Sequence, residues 1–132
     1  MTGIDFAPEM VNYANQFAKK SSMTNSCNFI EGDFLKHNWS NNKFDVSIAL
    51  GVFDYVGNPE DFIIKMAKVT TKAFVISWPE NGIRMLLRRI RYTCPVYYYT
   101  EKKIYSLHNQ CPSVKKIELY KGSAGWVSVA YM

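Results

Sequence analysis

Two carboxylates stand where a strand runs into a turn, and there the sequence first shows chemistry. Gly3-Ile4-Asp5-Phe6 reads as the end of a buried strand, and Ala7-Pro8-Glu9-Met10 as the start of a helix. A strand that ends in an acid before a helix usually sits inside a nucleotide-binding unit. Asp33 lies 28 residues further on, in the Gly-Asp turn of Phe29-Ile30-Glu31-Gly32-Asp33-Phe34. Asp54, in Gly51-Val52-Phe53-Asp54-Tyr55-Val56, follows another strand and could serve a substrate as a base or cap the next segment. His37 and His108 are the only histidines. His37 follows the Asp33 turn, either near a ligand or as an exposed loop residue. Tyr97, Tyr98 and Tyr99 either line a substrate pocket or, by alternation, put at least one ring in the core. Arg84, Arg88 and Arg91 share one helical face with Arg89 beside them, as an acidic-ligand or RNA site or as a solvated face.

Composition narrows the classes. The 132 residues suffice for one domain with a real core and are too few for two. A hydrophobic share of 48% and an aromatic share of 15% mark a globular chain. No apolar run approaches the roughly 18 residues of a membrane span. Asp5 and Glu9 occupy the place of a basic leader segment, so no signal peptide is expected. Cys27, Cys94 and Cys111 lie far apart, without disulfide or metal-site spacing, and a reducing cytoplasm is expected. Charge is uneven: residues 1–66 sum to −3 and residues 67–132 to +8. The basic half could attract an anionic substrate, a nucleic acid or a membrane surface, or form a solvated face.

Periodicity supplies the elements that must hold these residues. Met10, Val11, Ala14, Phe17 and Ala18 recur at helical spacing between Pro8 and Lys20. Pro8 suits the first turn, where its missing N–H costs nothing, and Glu9 complements the helix dipole. Residues 27–34 predict a short strand and its turn. Residues 43–53 predict a strand buried on both faces, as in a parallel sheet. Asn58 can cap a helix opened by Pro59, with Glu60 and Asp61 in its first turn. Phe62, Ile63, Met66 and Val69 form that helix's inward stripe. A buried strand over 73–78 and a helix over 82–92 follow, then a further helix after Thr100. Two strands joined by Lys121-Gly122-Ser123-Ala124-Gly125 close the chain as a hairpin. No repeat or linker suggests an internal domain boundary. Strands alternating with helices, then a hairpin, point to a three-layer α/β sheet with an antiparallel edge.

In order and spacing the chain resembles the class I S-adenosylmethionine-dependent methyltransferases over nearly its whole length. Residues 3–14 are similar to the family's second strand and following helix, whose strand-end acid binds both ribose hydroxyls of the cofactor. That role maps onto Asp5, with Phe6 beside it, and a carboxylate suits a vicinal diol. Residues 29–35 resemble the third strand and its acidic turn, so Asp33 would accept from the adenine amine and Phe34 would pack on the ring. Residues 44–56 resemble the fourth strand and its loop, placing Leu50 and Gly51 beside the methionine part of the cofactor and leaving Asp54 as the catalytic candidate. Small-molecule members of the family have a C-terminal part like residues 94–104 and the closing hairpin. No metal is implied.

One feature of the family is missing. Its glycine-rich loop after the first strand brings backbone N–H groups to the cofactor's carboxylate, and only Met1 and Thr2 precede Gly3 here. The expected fold is thus α/β: a Rossmann-like methyltransferase sheet, mostly parallel with an antiparallel C-terminal hairpin, lacking the first strand. Residues 1–132 would be one incomplete, N-terminally truncated domain. The expected function is S-adenosylmethionine-dependent methyl transfer to a small-molecule acceptor, inactive as this chain. The alternative is a non-catalytic methyltransferase-like module binding RNA or a protein partner. No sequence-specific nucleic-acid motif accompanies the arginines. Exposed strand edges would favour self-association.

Overall fold

The computed structural model describes residues 1–39, 43–81, 95–123 and 125–132. The chain forms two compact units, Met1–Ser40 and Asn41–Met132. The helix expected over 82–92, with its four arginines, and Cys94 lie outside the described residues.

In the first unit, strand β1 (Thr2–Asp5) pairs in parallel with strand β2 (Asn28–Glu31). Helix α1 (Pro8–Lys20) makes the crossover, as a parallel pair requires. Gly3 faces Phe29 in the ladder, and a Cβ on Gly3 would meet the Phe29 ring at 2.8 Å. The bare backbone is what lets that ring lie over the strand. Of the apolar residues expected to line α1, Ala18 is buried and Val11 and Ala14 are half-buried. Met10 and Phe17, with Tyr13, are exposed instead. These three large side chains form one exposed line along α1.

The second unit holds strand β3 (Phe44–Ala49), helix α2 (Pro59–Val69), strand β4 (Thr70–Pro79), helix α3 (Glu101–His108), strand β5 (Lys116–Gly122) and strand β6 (Gly125–Tyr131). The strands lie in the order β3-β4-β6-β5, parallel between β3 and β4 and antiparallel at the other two ladders. Helix α2 runs straight into β4, and Thr70 makes the joint. Its hydroxyl donates to the Met66 carbonyl at 2.7 Å and accepts from Ser47 Oγ at 2.7 Å. Thr100 caps α3 as its sequence suggests, accepting from the Lys103 N–H. Asn58 precedes α2 but does not accept from its backbone: its amide donates to the Asp61 carboxylate at 2.6 Å. Gly125 opens β6 at φ +139°, where a Cβ would meet the Trp78 carbonyl oxygen at 2.1 Å. No other residue fits there.

Strand β3 is not buried on both faces. Alternation sends Ser47 and Ala49 to one side and Val46 and Ile48 to the other. The first side shares its face with Phe74, Ile76, Trp78, Ser128 and Ala130, all at most 1% exposed. Val46 and Ile48 stand 51% and 65% exposed, and β3 is an edge strand among the described residues. An apolar run therefore gave the strand correctly but overstated its burial.

The covered face carries one polar thread. The Trp78 indole N–H donates to Ser128 Oγ at 2.8 Å, and that hydroxyl lies 3.2 Å from His108 Nε2. His108 Nδ1 lies 2.8 Å from the Ile104 carbonyl, an acceptor, so Nδ1 carries the proton. Nε2 then accepts from Ser128, and each group is satisfied in a neutral chain. Among the described residues no buried side-chain polar atom lacks a partner.

Ser128→Ala removes one acceptor and one donor from this thread at once. It should cost about 1–3 kcal/mol, the scale for stranded buried polar groups, read by urea unfolding. A pH dependence follows from His108. Burial holds its imidazole below the usual 6.5, against a smaller upward pull from the Ile104 carbonyl. The unfolded chain therefore takes up a proton that the fold resists. This stability is complete above about pH 6.5 and is lost as the pH falls below it. The urea midpoint should fall from pH 7 to 5, and His108→Gln should flatten that slope.

Candidate functional site

The parallel ladder of the first unit brings two of the expected acids to one end. Asp5 faces Glu31 in register, and the Gly32 N–H donates to the Asp5 carbonyl at 2.9 Å. The Asp33 turn therefore starts where β1 ends. Asp5 Oδ1 accepts from the Ala7 N–H at 2.9 Å, fixing the carboxylate at the entry to α1. Phe6 projects beside it, 80% exposed. Asp33 Oδ1 accepts from the Leu35 N–H at 2.8 Å, which holds the turn, and its other oxygen lies 3.8 Å from Lys36 Nζ. Phe34 is half-buried against Trp39, with ring centroids 5.8 Å apart. Trp39 was not singled out by the sequence, yet it is the buried anchor of this turn: its indole donates to the Phe34 carbonyl at 3.2 Å. His37 is neither an exposed loop residue nor isolated; its ring lies 4.3 Å from Trp39. Asp5, Phe6, Asp33 and Phe34 thus share the carboxyl end of one strand pair, the side on which open parallel sheets take ligands.

In the second unit the loop after β3 carries Leu50, Gly51 and Asp54. Leu50 is 61% exposed. Gly51 sits at φ +70°, with open space where a Cβ would go, so it is glycine for its backbone and not for room. Its N–H donates to Ser77 Oγ at 2.8 Å, which ties the loop to β4. Asp54 is buried, and its carbonyl accepts from the Tyr97 N–H at 2.9 Å. That bond begins a second wall. The Tyr99 N–H donates to the Pro79 carbonyl at 2.9 Å, and its hydroxyl donates to the Val56 carbonyl at 3.1 Å. Tyr99 is the core member of the tyrosine run, 5% exposed, with its phenol pushed up to about 12 by burial first and then by Glu60.

Tyr97 and Tyr98 are 37% and 46% exposed. With Gly57, Pro59, Glu60, Tyr99 and Lys103 they line an open pocket of about 230 Å³. Lys103 Nζ lies 2.8 Å from Glu60 Oε1, and this bond holds the Glu60 carboxyl below the usual carboxylate range. The sequence flagged the tyrosines but not the Glu60–Lys103 pair, whose partners stand 43 residues apart and leave no local signal. The core thread was partly legible: Ile104, Leu107 and His108 fall on one helical stripe. Among the described residues no group of His, Cys, Asp or Glu could hold a metal ion. Nor is any described helix long and apolar enough to cross a membrane.

Comparison with known proteins gives this geometry a family. Residues 1–119 match the family described as "Methyltransferase domain", and the chain belongs to it. That family is dependent on S-adenosylmethionine (SAM). The fold is similar to that of magnesium protoporphyrin IX methyltransferase from Synechocystis PCC 6803, solved with bound SAH. The TM-score is 0.73 at 16% identity, over 98% of this chain and 61% of that one. An O-methyltransferase family protein from Burkholderia thailandensis gives a TM-score of 0.78 at 11% identity, over 98% of this chain and 42% of that one. A SAM-dependent methyltransferase from Methanosarcina mazei gives 0.72 at 16% identity, over 98% and 80%. The α/β, Rossmann-like methyltransferase fold expected from the sequence is the one found. The chain spans about 61% of the first of these relatives.

Gly51 offers a local test of the loop. Gly51→Ala puts a Cβ at a left-handed position and should cost about 1–2 kcal/mol in urea unfolding. Because nothing surrounds that Cβ, the loss should come from the backbone alone and appear without a change in the core's near-ultraviolet signal.

Proposed function

We propose that this domain takes part in SAM-dependent methyl transfer to a small-molecule acceptor. The observation that carries the reading is the convergence of Asp5, Phe6, Asp33 and Phe34 on one strand-pair end. The donor set suits an adenosine group. One oxygen of Asp5 is engaged by the Ala7 N–H, which leaves the other to accept from a ribose diol. The exposed Phe6 ring and the Phe34 ring offer apolar surface to a purine, and Asp33 offers an acceptor for its amine.

SAM supplies an activated methyl carbon when bound. The chain's part is to orient the acceptor and keep water away, which lowers the barrier without covalent participation. A base is needed only where the acceptor must lose a proton, and Asp54 is the candidate for that task.

As the 132-residue chain alone, the protein is proposed to bind SAM weakly and to transfer no methyl group. Residues 1–132 contain no G-x-G-x-x-G segment to offer N–H groups to the cofactor's carboxylate. The same reading treats residues 1–132 as one incomplete domain. Self-association of two copies is proposed through β3, an edge strand among the described residues, and its exposed Val46 and Ile48.

Calorimetry on the chain tests the cofactor assignment. Adenosine and SAM should bind within roughly tenfold of each other, a gap under about 1.4 kcal/mol, because only the adenosine end is held. Asp5→Ala should weaken both by about 1.5–3 kcal/mol. Asp5→Asn keeps an acceptor for Ala7, so it separates lost charge from a lost helix start. SAM bound more than about 100-fold tighter than adenosine, or unaffected by Asp5→Ala, would reject the assignment. Gel filtration should show a concentration-dependent dimer that Ile48→Lys weakens; a monomer at every concentration would remove the self-association reading.

A further inference from the structure

The tyrosine-lined pocket of the second unit has no role in holding the cofactor as assigned above. It lies on the carboxyl side of β3 and β4: Tyr97 is bonded to the loop after β3, and Tyr99 to Pro79 at the end of β4. Open sheets of this kind take ligands on that side. Its walls combine two features. Tyr97 and Tyr98 present partly exposed rings, and the Glu60–Lys103 pair presents both charges at 2.8 Å.

The pair decides the ligand's charge. An anion drawn to Lys103 meets Glu60, and a cation drawn to Glu60 meets Lys103, so neither sign gains much. A hydroxyl does well against both. Lysine has three donors and no acceptor, an ionised glutamate only acceptors, and a hydroxyl accepts from one while donating to the other. Glu60 stays ionised, since its bond to Lys103 lowers its carboxyl. Size adds a limit. About 230 Å³ falls below the roughly 300–1,000 Å³ of pockets for drug-sized ligands, so one ring is the natural load. The rings select an aromatic body, because aromatic side chains favour offset or edge contacts with another ring. Gly57 lets the Tyr97 side chain lie against the backbone here: a Cβ there would meet the Tyr97 hydroxyl at 2.9 Å.

We propose that this pocket binds a neutral single-ring phenol, with the ring against Tyr97 and Tyr98 and the hydroxyl against the Lys103–Glu60 pair, accepting from the ammonium and donating to the carboxylate. That the phenol is the methyl acceptor rests on the methyl-transfer reading above; that it binds does not.

The test is a chemical-shift titration of the whole chain without cofactor, using p-cresol, benzoate and benzylamine as probes. p-Cresol should move the Gly57, Tyr98 and Lys103 amides in a saturable way and bind at least about fivefold tighter than either charged probe. Tyr98→Leu and Lys103→Met should each weaken it by roughly tenfold, about 1.4 kcal/mol. Tyr98 is exposed enough that its variant keeps the fold, so a loss there is a loss of binding. Tighter binding of benzoate would make this an anion site, and of benzylamine a cation site; either result overturns the proposal, as do shifts that avoid the pocket. The cofactor titration reads Asp5 and Asp33 instead, so failure of one reading leaves the other visible.

Discussion

The second unit depends on the burial of one indole. Trp78 sits 1% exposed near the end of β4, and everything around it must satisfy both its bulk and its single donor. Phe53 packs on it at 4.5 Å between ring centroids, Tyr99 at 5.0 Å and His108 at 5.7 Å. These three come from the loop after β3, the segment before α3, and α3 itself. Its N–H requires an acceptor in the core, which is why Ser128 stands on the inward face of β6 and why His108 must stay neutral. Each fully buried apolar side chain here contributes about 1.5–3 kcal/mol, and the indole joins rings from three elements at once. The pocket inherits its shape from this arrangement. Tyr99 is held from below by Trp78 and Phe53, and its neighbours Tyr97 and Tyr98 are thereby presented at the surface.

The first unit follows a different rule. It is small, and its order comes from hydrogen bonds at the carboxyl end of two parallel strands. Asp5 holds the start of α1, Asp33 holds its own turn, and Trp39 closes the loop behind Phe34. The groups that stabilise this end are the groups assigned to the cofactor, so fold and site are not separable there. A carboxylate already fixed by one backbone N–H needs little reorganisation to accept a ligand hydroxyl.

Much of this was legible because it is local. The helix between Pro8 and Lys20 was legible from its proline, first-turn acid and helical spacing of apolar residues, and α3 from Thr100. The order of strand-end acid, acidic turn and apolar strand pointed to the family that the comparison confirms. What sequence could not supply was non-local. Apolar runs predict strands and helical stripes but not which side finds cover, so Val46, Ile48, Met10 and Phe17 were read as more buried than they are. The Glu60–Lys103 pair and the Trp78–Ser128–His108 thread join residues 20 to 50 positions apart through the fold alone. Asn58 illustrates a subtler limit: residue type allowed a cap, and a nearby carboxylate took its side chain instead.

The central claim is that a SAM-type ligand is held at the carboxyl end of the first unit's strand pair. Titrating the chain with S-adenosylhomocysteine while following backbone amide resonances tests it most directly. The account predicts saturable shifts concentrated at residues 4–7 and 32–35, with the Ala7 and Leu35 amides among them because their acceptors are Asp5 and Asp33. Shifts that cluster elsewhere and leave those amides unmoved would contradict it.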